Sequence, residues 1–82
     1  MERTTVERIK SMMARHSLSQ SDMGRLLGVG QANINNWLTT TRSPVLAVGR
    51  AIELLELMEA FSPALFNSEL GKAVKWRDVR TR

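Results

Sequence analysis

Apolar residues recur along this chain at intervals of three and four, the spacing that gathers side chains on one face of a helix. Val6, Ile9 and Met13 form the first such stripe, with Met12 or His16 at its margin. Thr4-Thr5-Val6-Glu7 reads as a capping box that opens this helix, and Ser17-Leu18-Ser19 ends it with Leu18 turned inward. Ser19 followed by Asp22 signals a second helix running to about Leu27, closed by Gly28 as a left-handed cap. Gly30 then caps a third helix from Gln31 to about Leu38, and Thr39 to Arg42 form a loop. Ser43-Pro44 starts a fourth helix reaching about Ala60, because proline is preferred at the first helical position. Val45, Val48, Ile52 and Leu55 make one of its stripes and Ala47, Ala51, Leu54 and Met58 a neighbouring one, so this helix needs cover on two sides. Ser62-Pro63 opens a short fifth helix carrying Leu65, Phe66 and Leu70, and Gly71 ends it. The pattern predicts an all-α fold, a compact bundle of about five short helices. A basic C-terminal tail adds a helix or a short strand, the latter suggested by the weak alternation of Ala73 to Arg77.

The segment from Gln20 to Thr39 is the most constrained. Gly24 is small where a second helix passes closely over the first, and Gly28 supplies the backbone freedom for the turn between them. Met23, Leu27, Val29, Ile34 and Trp37 fall on the inner faces of the two helices. Gln31, Ala32, Asn35 and Asn36 are left on the outer face of the third helix, with Gln20 opening the second. Side-chain amides are the groups that base edges in a DNA groove accept.

Composition narrows the class. At 82 residues without a cysteine, the chain is one domain near the size at which a single core suffices without staples. No apolar run approaches the roughly 18 residues of a membrane span, and the charged start lacks the centre of a signal peptide. A soluble cytoplasmic protein is the expectation. Seven bases against three acids give residues 1–50 a charge of +4, four glutamates give residues 51–71 −4, and five bases against one aspartate give residues 72–82 +4. A basic half that carries the amide face is the footprint of a polyanion binder, while the basic tail reads equally as a second phosphate contact or as a solvated end. Glu53, Glu56 and Glu59 read as a solvated face turned away from DNA. One histidine, no metal-ligand cluster and no glycine-rich phosphate loop argue against an enzyme, and no cofactor, metal or small-molecule ligand is expected. Trp37 belongs to the core and the five methionines fill it; for Trp76, packing on the fifth helix, a dimer contact and base stacking all remain open.

With Ser19-Gln20, Gly24, Gly28, Val29, Ile34 and Trp37 in register, the chain from about Val6 to Met58 resembles the phage repressor and Cro-like helix-turn-helix family. The resemblance implies that residues 1–60 form a DNA-binding domain whose recognition helix spans about 31–38, and that residues 61–82 are a C-terminal extension. It makes Gln31, Ala32, Asn35 and Asn36 base-reading residues, and Ser19, Gln20, Thr39, Thr40 and Arg42 contacts to the DNA backbone. Many members follow the tryptophan with a glutamate and then a glycine that turns the chain out of the third helix; here Leu38 and Thr40 stand instead, and Gly30 occupies a frequent contact position. The implied function is a repressor of phage, plasmid or mobile-element origin, bound as a homodimer to a palindromic operator in double-stranded DNA. Leu54, Met58, Phe61, Leu65 and Phe66 are the expected dimer surface, with Val74 to Val79 as an addition. The competing class is a protein-interaction module of the same fold, an antitoxin or adaptor, or an accessory factor in recombination. The acid-free face of the third helix favours DNA.

Overall fold

The computed structural model describes residues 4–40 and 42–80, with side chains described through residue 74. Five helices follow in order: α1 (Thr5–His16), α2 (Gln20–Leu27), α3 (Gln31–Thr39), α4 (Leu46–Phe61) and α5 (Pro63–Arg80). The fold is all-α, with no strand among the described residues. Local signals account for the first boundaries. Thr4 Oγ1 accepts the Glu7 N–H at 3.1 Å to start α1, and Ser19 and Asp22 form a complete reciprocal box at α2. Gly28, at φ 76° and ψ 30°, closes α2 in the left-handed region.

Two expected boundaries are corrected. The fourth helix starts at Leu46 rather than Pro44, because Val45 is still extended and its carbonyl receives the Val48 and Gly49 N–H groups. The fifth does not stop at Gly71, and the Ala73–Arg77 segment is helix rather than strand. A helical glycine costs only about 1 kcal/mol, and tertiary contacts outweigh it. Ala73 is buried, Leu70 and Val74 pack against the core, and the Arg25 guanidinium of α2 donates to the Ala73 carbonyl. The side chain of Trp76 and the tail beyond it lie outside the described side chains.

The core joins Ile9 and Met12 of α1, Leu18 of the first loop, Met23 of α2, Ile34 of α3, Val48, Ile52 and Leu55 of α4, and Phe66 of α5. Phe66 is therefore withdrawn from the expected dimer surface: it is 1% exposed, with its ring 4.9 Å from that of His16. Burying a side chain of this kind is worth about 1.5–3 kcal/mol. Met58 is half-buried against the same cluster, whereas Leu54, Phe61 and Leu65 are exposed.

The acidic stripe of α4 is also corrected, since it is not a wholly solvated face. Glu59 accepts from Arg15 at 2.7 and 3.0 Å and meets His16 Nε2 at 2.5 Å, while Glu56 lies 3.7 Å from Arg8. Two of its three glutamates thus bind α4 to α1. Glu53 pairs within its own helix, with Arg50.

Candidate nucleic-acid interface

The shape of the α2–α3 unit follows from two glycines. A Cβ on Gly24 would stand 2.7 Å from the Val29 carbonyl oxygen, so the incoming turn closes over α2 only because that position is bare. The Val29 N–H returns to the Gly24 carbonyl at 2.8 Å, which fixes the turn. Met23 and Ile34 are fully buried between the helices and the rest of the core, and Leu27, Val29 and Trp37 pack half-buried around them.

With the inner positions locked, α3 turns Gln31, Ala32, Asn33 and Asn35 to solvent and keeps Asn36 half-buried. The two exposed amides opposite α2 are braced from it. Ser21 Oγ donates to Gln31 Oε1 at 2.8 Å, and Gln20 Nε2 donates to Asn35 Oδ1 at 3.3 Å. Each bond uses one lone pair of an amide oxygen, so the oxygen can still accept a second bond and the NH₂ group can donate. The family resemblance implied Gln20 as a backbone contact and gave Ser21 no role; the bracing depends on how the two helices cross.

The remaining candidate positions sit at the two ends of this surface. Ser19 is committed to its cap, its N–H donating to Asp22 Oδ2 and its Oγ accepting the Asp22 N–H, and it lies exposed beside the positive end of the α2 dipole. Thr39 Oγ1 donates to the Asn35 carbonyl and Thr40 Oγ1 to the Asn36 carbonyl, so both hydroxyls spend their proton on the last turn of α3. Thr40 leaves the helix in extended geometry, φ −129° and ψ −178°, the β-branched residue's ordinary preference. Arg42 follows, exposed, its N–H donating to Thr40 Oγ1.

Charge is arranged in keeping with this surface. No charged residue lies on α3, and the single acid of α2, Asp22, is fully buried and held by Arg25 at 2.7 Å. Of the α4 glutamates, Glu56 and Glu59 are held toward α1, by Arg8 and by Arg15 with His16. No helix of the described residues is long and apolar enough to cross a membrane, and no group of three or more His, Cys, Asp or Glu residues among them is placed to hold a metal. No family model, characterised protein or solved structure matches the chain.

Proposed function

We propose that this chain is a sequence-specific double-stranded DNA-binding regulator of the phage repressor and Cro-like helix-turn-helix type. It binds rather than catalyses, acting in the cytoplasm as a repressor that occupies an operator and blocks polymerase. The observation that carries the reading is the outer face of α3: uncharged, exposed at Gln31, Ala32 and Asn35, and with its two amides braced from α2. In the major groove an amide pairs with adenine through one donor and one acceptor, and Ala32 offers a methyl contact to thymine. Gln20 acts mainly as a brace for Asn35, and the α2 N-terminus at Ser19, with Arg42, meets phosphate. Thr39 and Thr40 meet phosphate only by turning their hydroxyl protons away from the Asn35 and Asn36 carbonyls, which makes them the weaker contacts. One α3 covers a single half-site, so an operator of useful affinity carries two half-sites about 34 Å apart.

Selection of bound duplexes from a random pool supplies the cognate site. Fluorescence anisotropy with Gln31→Ala and Asn35→Ala should then show losses of about 1–3 kcal/mol on that site and little on random DNA. Equal losses on both would remove the base-reading role. Affinity should fall steeply with added salt, and a flat profile would favour a protein partner instead.

A further inference from the structure

From Gln20 to Thr39 the helix pair α2–α3 holds one arginine, no lysine and one acid. Neither charge is available to a base. Asp22 is fully buried, and Arg25 spends Nη2 on Asp22 at 2.7 Å and Nε on the Ala73 carbonyl at 2.5 Å, which draws its guanidinium toward α5. In the major groove guanine shows two acceptors, which an arginine fork meets, and cytosine shows a donor, which a carboxylate meets. The pair offers neither partner. Adenine shows a donor beside an acceptor, which a side-chain amide matches with its oxygen and its NH₂ group. Gln31 and Asn35 present two such amides one turn apart on the exposed face of α3, about 6 Å along the helix.

We propose that the bound DNA presents adenines to Gln31 and Asn35, and that methylation of those adenines at N6 releases the protein. The inference rests on α3 reading DNA. Paired with thymine, N6-methyladenine keeps its remaining N6 hydrogen on thymine O4, so the methyl stands on the N7 side, where the amide oxygen of a bidentate contact would accept. That oxygen loses its donor and meets a methyl group instead. Neither amide turns away without loss, because Ser21 Oγ holds Gln31 Oε1 at 2.8 Å and Gln20 Nε2 holds Asn35 Oδ1 at 3.3 Å, and both braces are half-buried. Exchanging the oxygen and nitrogen of Asn35 would set its NH₂ group against that of Gln20. With the one arginine of the pair committed to Asp22 and α5, no charged contact to the base edge makes up the loss. A mark on the DNA thus controls occupancy with no effector bound to the protein.

Anisotropy titrations of the full chain against the selected duplex, and against duplexes carrying N6-methyladenine at one position at a time, test it. Methylation of each contacted adenine should weaken binding at least about tenfold, the discrimination of one bidentate base contact. Methylation outside the half-sites should leave binding unchanged. Gln31→Ala and Asn35→Ala, each checked for wild-type helical content by circular dichroism, should each become indifferent to one of those methyl groups, a pairing that a general effect of methylation on duplex shape would not produce. A selected site with G·C pairs at the contacted positions overturns the proposal. So does a wild type that binds methylated and unmethylated duplexes equally, or a pair of variants as sensitive to every methyl group as the wild type. Equal losses of the two variants on cognate and random DNA overturn the α3 reading itself, whereas losses confined to the cognate site with indifference to methylation overturn this inference alone.

Discussion

At the scale of single residues, three glycines separate two kinds of constraint from none. Gly24 is fixed by space, since its missing Cβ is where the Val29 carbonyl sits, and a backbone atom cannot move aside as a side chain can. Gly28 is fixed by its positive φ, with no atom within 4 Å of an added Cβ. Gly30 has neither constraint and serves as an N-cap without a side-chain acceptor. Gly24→Ala should therefore cost about 2–3 kcal/mol, in the range of overpacking against an unyielding neighbour, and Gly28→Ala about 1 kcal/mol. Gly30→Ser should gain a few tenths of a kcal/mol. Urea denaturation of the three variants checks the order, and a Gly24→Ala protein as stable as wild type would show that the turn does not close as described. The Gly24 and Gly28 assignments were legible in the sequence because each answers a local steric demand.

Between elements, the contact most open to test is the clamp of α4 on α1. Hydrogen bonds from Arg15 hold the Glu59 carboxyl below the ordinary value near 4.5, with a further lowering from His16, and the same pair raises Arg15. A carboxylate whose folded-state pKa is depressed adds stability that is complete above its unfolded pKa and is lost as pH falls through the folded value. Glu59→Gln should therefore lower stability at neutral pH by about 0.5–1 kcal/mol, the upper range for ion pairs that solvent still screens. That deficit should narrow as pH falls below the ordinary carboxylate range and the wild-type carboxylate also takes up a proton. Thermal melts of both proteins across that range decide it, and a deficit independent of pH would assign the loss to packing. The spacing of Glu53, Glu56 and Glu59 was visible in the sequence, but their partners were not, because Arg15 and His16 lie more than forty residues away. The extent of α5 was hidden for a similar reason. Gly71 is a local stop signal, and what overrides it, the bond from Arg25 to the Ala73 carbonyl, spans 48 residues. The amide face of α3 was legible as a list of residues, while its bracing by Gln20 and Ser21 required the crossing of two helices.

For the whole molecule, the position of Phe66 decides whether residues past Ser62 are an appendage or part of the fold. Were they an appendage, removing them would leave a folded four-helix remnant. Phe66 instead fills the interior beside His16, α5 packs on both α2 and α4, and Ala73 is buried near Arg25. Truncation after Ser62 would open the core along its length and strip the Arg25 guanidinium of its Ala73 acceptor. Phe66→Ala alone should cost about 3–5 kcal/mol, most of the stability of a domain this small. The truncated chain should accordingly lose its cooperative melt and bind no DNA, with α3 intact in sequence. Phe61→Lys, one residue before the cut, should by contrast keep a cooperative melt, since Phe61 is exposed and fills no part of the core. Calorimetry on the two variants separates these cases. A truncated chain that still unfolds cooperatively would show that α1 to α4 close a core without α5, and would restrict the role of residues beyond Ser62 to contacts outside the reading head.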